Sequence, residues 1–304
     1  MKKHDYKDFS TFLLFILPGF LLYLFIVAYP IVYSVALSFS NYNPNVGGAW
    51  GFVGGEHYAT MINNPDFWYA FKNNMIVVAV SVFGQIPIGF ILAFILYRKQ
   101  IKAQGFFQSM VFLPQFLSTV VIGVMWKMIF AVDGPVSTIL QITSGDPSKQ
   151  FTMMLERSTA MIPIGIALIW MYTGMYMIIF LANLQKIDES MIEAAKIDGA
   201  TEPQIFVKII VPLLAGTILT SCILAIAGSL KGFALIFTIT SEGITRQNAE
   251  VLPILMYRSA FQNYVNPMRF AFGSAISNTV VLISIIMILF SNWVGKKLGT
   301  DEEY

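Results

Sequence analysis

The chain has 304 residues, of which 56% are hydrophobic and only 12% are charged, with a formal net charge of +2. A soluble domain carries about 25% charged residues, so an ordinary water-facing surface is excluded, and the mean hydropathy of +0.68 agrees. The small net charge gives no footing for nucleic acid. Cys222 is the single cysteine, so an internal disulfide and a Cys-based metal cluster are excluded. His4 and His57 stand far apart in polar segments, which argues against a metal site or any metal cofactor.

Six apolar segments follow along the chain, at about 12–39, 74–97, 108–131, 160–183, 209–239 and 271–294. Each approaches or exceeds the ~20 residues that cross a bilayer as a helix. The first, FLLFILPGFLLYLFIVAYPIVYSVALSF, is too long for a signal peptide and lacks a small-residue cleavage site, so it reads as a retained span. Lys127, near the end of the third, can snorkel toward the headgroups. Pro18, Pro30, Pro87, Pro114, Pro163 and Pro212 sit in or beside spans, which predicts kinks or helix starts there.

With the N-terminus inside, the shorter inner segments hold Lys2, Lys3, Lys7, Arg98, Lys99, Lys102, Lys186, Lys196, Lys208, Lys296 and Lys297, 11 of the 19 basic residues. That density places both termini in the cytoplasm. The outer segments 40–67 and 131–150 are rich in turn-formers. The reading is one transmembrane domain over 1–304: an all-α membrane protein of six transmembrane helices, with a patterned inner loop at 184–208.

That loop reads LQKIDESMIEAAKIDGATEPQIFVKIIVPLL over 184–214. A first helix over about 188–198 takes Asp188 or Ser190 as its cap. Glu189 and Glu193 share a face four residues apart. Ile192 and Ala195, with Met191 at its edge, form an apolar face, and Ala194 with Ala195 lets another surface approach closely. Gly199 suits a left-handed stop. Thr201, Pro203 and Gln204 make a capping-box start for a second helix. A helix–turn–helix with small residues and an exposed acid suits a docking knob; the plain alternative is a solvated helix pair.

The residues Glu193, Ala194, Ala195, Asp198, Gly199, Ala200, Phe206, Ile209 and Pro212 closely resemble the EAA loop of ABC importer permeases. The likeness extends to 29–44, 112–130, 169–187 and 252–261, and so covers nearly the whole chain. It points to the carbohydrate uptake group, of maltose-permease-F or glycerol-phosphate-permease-A type. One departure is SEGITRQ at 241–247, where that family often has a Gly-Gly-Pro turn.

The resemblance implies a type I ABC importer permease fold. It also implies a second homologous permease, two cytoplasmic ATP-binding subunits that grip the loop at Glu193, Ala194, Ala195, Asp198, Gly199 and Ala200, and an extracytoplasmic solute-binding protein. The expected setting is the bacterial cytoplasmic membrane and its lipid.

Polar and aromatic groups inside spans are candidates for a solute path, because hydrocarbon penalises them unless they line water or meet partners. Trp170, Tyr172 and Tyr176 with Ser229 combine aromatic platforms and a hydroxyl, as sugar recognition needs. Lys231 and Asn278 complete the candidates. The competing reading is plain packing and interface belts.

No GxxxxGK[ST], HExxH or GxSxG occurs, so the chain is not expected to be an enzyme or to hydrolyse ATP itself. A permease for another solute, such as a phosphodiester or peptide, and a stand-alone ion-coupled carrier remain as alternatives. The carrier would need paired acids or a His/Asp relay within spans, and neither is visible.

Overall fold

Three times the chain widens one helical turn shortly before a proline. The wide turns are Leu24–Ala28, Ser81–Gln85 and Phe206–Ile210, and the prolines are Pro30, Pro87 and Pro212. Each time the residue just before the proline reaches back five positions: Tyr29 N–H to Leu24, Ile86 to Ser81, Val211 to Phe206. A proline ring clashes with the carbonyl four residues back and offers it no N–H. A turn closed by five residues shifts that carbonyl aside, so the helix passes the proline instead of ending. Pro18 lies inside an unbroken helix, Asp5–Tyr23. Pro163 sits in the first turn of its helix, where its missing N–H leaves no bond unmade.

The computed structural model describes residues 5–42, 50–98, 103–240, 243–262 and 269–297. Lys2, Lys3, His4, Lys99, Lys102, the 43–49 part of the first turn-rich segment, Ser241 and Glu242 lie outside the described residues. Every named element among the described residues is helical, and an isolated antiparallel bridge joins Ser40 to Phe52.

Four helices are long and apolar enough to cross a membrane: α1 (Thr11–Ser38), α3 (Pro65–Tyr97), α7 (Met161–Leu184) and the Phe270–Lys297 stretch of α14 (Arg269–Lys297). Two bent pairs raise the number to six if each is one span. In the first, α4 (Gln104–Phe116) turns by 97° into α5 (Thr119–Ile129). Leu117 and Ser118 take extended backbone there, just after Pro114. In the second, α9 (Glu202–Leu213) turns by 71° into α10 (Ala215–Lys231), which ends at an extended Gly232. Shorter helices are α2 (Glu56–Ile62), α6 (Pro135–Ser144), α8 (Glu189–Ile197), α11 (Ala234–Ile239), α12 (Gly243–Asn248) and α13 (Leu252–Tyr257).

The chain divides into two compact units. One comprises Met1–Phe67 with Leu255–Thr279, the other Trp68–Ile254 with Val280–Tyr304. In the first unit, α1 at ~1.5 Å per residue outruns a hydrocarbon core of about 30 Å. No residue of its most apolar stretch is buried within the chain. Ser34 holds it to α14: its hydroxyl donates to Asn278 Oδ1 (3.3 Å), and Asn278 Nδ2 donates to the Ser34 carbonyl (3.2 Å). Tyr58 meets Ser38 at 2.8 Å, and Arg258 lies 3.6 Å from Asp66.

The second unit is organised around α7. A Cβ at Gly89 on α3 would stand 2.8 Å from Tyr176 Cβ and 2.9 Å from the Met177 nitrogen. A Cβ at Gly174 would stand 2.4 Å from the Val111 carbonyl of α4. Glycine at both places lets backbones approach where any side chain would wedge them apart. Two buried clusters result. One gathers Ile122, Ile164, Ile236 and Ile239; the other gathers Phe90, Met177, Phe180, Leu184, Ile205 and Ile210.

Buried amides tie the ends of these helices together. Asn74 donates to the Ser229 carbonyl (3.2 Å) and accepts from the Leu252 N–H (2.8 Å). Asn73 donates to the Glu250 carbonyl (2.9 Å), and Gln85 to that of Leu168 (3.2 Å). The bonds to Ser229, Glu250 and Leu252 fall where helices stop, while Leu168 lies inside α7.

Candidate functional site

The segment between α7 and α10 builds a short, tightly closed helix pair. α8 starts at Asp188, whose carboxylate accepts from the Ser190 N–H at 2.9 Å. Those bonds from Ser190 hold the Asp188 carboxyl below the usual carboxylate range. Ile192 is buried and Ala195 half-buried, and both pack on the cluster of Phe180, Leu184, Ile205 and Ile210. Of the apolar face expected from the sequence, Ile192 and Ala195 thus form the seat of α8, while Met191 is exposed.

At its other end α8 closes in a Schellman turn. The Ala200 N–H donates to Ala195 (2.9 Å) and the Gly199 N–H to Lys196 (3.0 Å). Gly199 takes φ +82°, the left-handed region that an L side chain rarely adopts. Gln204 Oε1 accepts from the Thr201 N–H at 2.8 Å, so the capping box at the start of α9 forms as expected.

Glu193, Ala194, Asp198 and Gly199 are exposed, while Ala195 and Ala200 are half-buried. Glu193, Ala194 and Asp198 therefore share the side of α8 turned away from its seat. Sequence reasoning missed one feature of that side. Met191, Ala194 and Ile197 recur every three residues as an exposed apolar stripe, with Ile197 86% exposed. The three-residue spacing carried that signal.

It also missed the anchor. Arg98, one residue past α3, pairs with Glu202 at the start of α9, and Lys196 lies 3.6 Å from the same carboxylate. These cations join α3, α8 and α9.

The five path candidates within the second unit do not converge. Trp170 is exposed on α7 and meets Trp126 edge-on at 5.8 Å. At ~100° per residue, it lies about 160° around the helix from Tyr172. Tyr172 is half-buried, and Tyr176 is buried beneath Gly89. Ser229 is buried and donates to Ser81 Oγ (2.8 Å). Asn278 belongs to the other unit, where it is engaged with Ser34. Lys231 is exposed at the end of α10. The structure thus pairs Tyr172 and Tyr176 on one side of α7 and sets Trp170 apart.

Comparison with known proteins agrees with this architecture. The chain is 30% identical over 275 residues to the lactose transport system permease protein LacF of Rhizobium radiobacter, covering 90% of each chain. It is 29% identical over 282 residues to a probable ABC transporter permease protein of Pyrococcus horikoshii, covering 93% of this chain and 94% of that one. Its fold matches a chain of a bacterial alginate ABC transporter, solved in complex with an alginate pentasaccharide-bound periplasmic protein. The TM-score is 0.82 at 21% identity, over 97% of this chain and 96% of that one. The family model for the binding-protein-dependent transport system inner membrane component matches residues 85–300, and the chain belongs to that family.

Proposed function

We propose that this chain forms half of the translocation path of an ATP-binding-cassette importer for a sugar or oligosaccharide. It sits in a bacterial cytoplasmic membrane with both termini inside. It pairs with a second, homologous permease, receives solute from an extracytoplasmic binding protein, and is driven by two cytoplasmic ATP-binding subunits. The chain itself is not catalytic; ATP is hydrolysed on its partners.

The observation that carries this reading is α8. It is a nine-residue helix closed at both ends, seated by Ile192 and presenting Glu193, Ala194, Ile197 and Asp198 outward. Small and apolar residues at close spacing fit a cleft on another protein, and the rim acids Glu193 and Asp198 set register and partner choice. The Arg98–Glu202 pair and the continuity from α8 through Gly199 into α9 give a pull on α8 a rigid route toward α10.

The saccharide assignment rests on family membership and on the likeness to LacF, a protein named for lactose. It is supported by the exposed Trp170 on α7, which can stack beneath a sugar ring. Of the path candidates, Trp170, Tyr172, Lys231 and Asn278 are at least partly exposed; Asn278 is engaged with Ser34, so Trp170, Tyr172 and Lys231 are the ones to test for solute contact.

The test is Glu193→Arg in the assembled, reconstituted transporter. The expected result is loss of solute-stimulated ATP hydrolysis or of ATPase-subunit binding. Normal transport together with normal hydrolysis would refute the docking role.

A further inference from the structure

Beside the root of α8 lies an open cavity of about 250 Å3. Tyr97 from the end of α3, Gln104 and Gln108 from α4, Gln185 just after α7, and Glu189, the first residue of α8, supply its polar lining. Leu181 contributes an apolar wall. The Tyr97 hydroxyl oxygen is buried and has no hydrogen-bond partner among the described residues. Gln104 donates its amide nitrogen to the Leu96 carbonyl. The side chains of Gln108 and Gln185 make no hydrogen bond among the described residues, and the charge of Glu189 acts on the Tyr97 hydroxyl.

The chemistry of this lining selects its ligand. Three amides and a phenol each offer donors as well as acceptors. A ligand that satisfies them must do both, as hydroxyl groups do. An amine has only donors to give, so it would match Glu189 and leave the amide and phenol hydrogens unmet. Glu189 is exposed, so its charge is screened and worth little to an amine. Phosphate offers acceptors almost alone, so it would leave the amide oxygens of this lining unmet. At about 30 Å3 of liquid volume per water the cavity holds roughly eight waters, room for one monosaccharide ring.

We propose that this cavity binds a neutral polyol of monosaccharide size, and that the bound polyol ties the first turn of α8 to the ends of α3 and α4. Binding depends only on the cavity. Its consequence rests on the transport reading: a clamped α8 resists the motion that couples it to the ATPase, so released solute or its breakdown product slows further import.

The assembled transporter in lipid nanodiscs, prepared without glycosidic detergent, is titrated with D-glucose, inorganic phosphate and ethanolamine by saturation-transfer NMR. Amide hydrogen exchange over residues 189–197 is followed in parallel. D-glucose is expected to bind and to slow exchange in that segment, while phosphate and ethanolamine do neither. Gln108→Leu and, on the exposed rim, Gln185→Leu should each weaken glucose about three- to tenfold, the worth of one hydrogen bond. The proposal is overturned if glucose does not bind, if its binding is indifferent to both substitutions, if exchange in α8 is unmoved, or if phosphate or ethanolamine binds instead. Failure of saccharide transport with glucose still bound at this cavity would remove the transport reading and leave the site standing.

Discussion

Arg98 and Glu202, 104 positions apart, form an ion pair that fastens the C-terminal end of α3 to the start of α9. The Arg98 side chain is only 13% exposed, while that of Glu202 is 41% exposed and also within reach of Lys196. The pair is therefore screened on one side only. Its position matters more than its strength, because it holds the foot of the α8–α9 unit against the bundle.

Breaking it should loosen the loop without unfolding the chain. Arg98→Ala is expected to cost less than about 1 kcal/mol of global stability, since it leaves behind the partly exposed Glu202; Glu202→Gln leaves the mostly buried Arg98 without its carboxylate and should cost more. Amide exchange over 189–205 should rise, and coupling of ATP hydrolysis to solute should fall. The double reversal Arg98→Glu with Glu202→Arg should recover part of both. Exchange and coupling left unchanged in the single variants would show that the pair anchors nothing.

Gly89 predicts a sharper effect. A methyl group there meets Tyr176 Cβ and the Met177 backbone at under 3 Å, and backbone cannot yield as a flexible side chain can. Gly89→Ala should separate α3 from α7 at a cost of about 1–3 kcal/mol. Gly89→Leu should prevent a monodisperse product. Gly19 meets nothing within 4 Å, so Gly19→Ala should leave the melting temperature of the purified protein near that of the parent. Equal melting temperatures for Gly89→Ala and Gly19→Ala would refute the close-packing account.

Asn74 holds two backbone groups at once, the Ser229 carbonyl and the Leu252 N–H, and is fully buried. Asn74→Leu keeps the bulk, strands the Leu252 N–H and leaves the Ser229 carbonyl to the Gly232 N–H alone. Each buried, unsatisfied group costs about 1–3 kcal/mol, so a drop of several degrees in melting temperature is expected. Trp170→Ala removes an exposed ring and should lower stability far less. If Trp170 contacts solute, that variant will instead raise the solute concentration needed for half-maximal transport.

The elements most legible in the sequence were those set by local chemistry. Asp188, Gly199, Thr201 and Gln204 act within a few residues of themselves, and each takes the part its type and spacing predict. Composition alone was enough to predict helices. The bends were harder, because proline content marked places and not outcomes. Pro30, Pro87 and Pro212 are absorbed by a wide turn upstream. The 97° turn falls at Leu117 and Ser118, where two ordinary residues leave helical backbone. Contacts between distant residues were not legible at all. Nothing in the sequence joins Arg98 to Glu202 or Asn74 to Leu252, and nothing told that Ser229 and Asn278 spend their polar groups on neighbouring helices.

Gly199 separates strain from clash between α8 and α9. Its φ of +82° belongs to the left-handed region, yet a Cβ placed there meets nothing within 4 Å. Gly199→Ala therefore adds backbone strain alone, about 1 kcal/mol, and Gly199→Asn, which tolerates this region, should add less. The Schellman bonds from Gly199 and Ala200 to Lys196 and Ala195 are what the strain would loosen. Global melting should move little, because α8 contributes only Ile192 and part of Ala195 to the core. The last turn of α8 should fray, exposing its amides to exchange, and ATP hydrolysis should uncouple from solute in the order Gly, Asn, Ala. Gly199→Val would add β-branching to the same strain and uncouple further still. If all four residues at this position gave equal coupling, the closed turn would have no part in transmitting force, and the contact face on α8 would have to act without it.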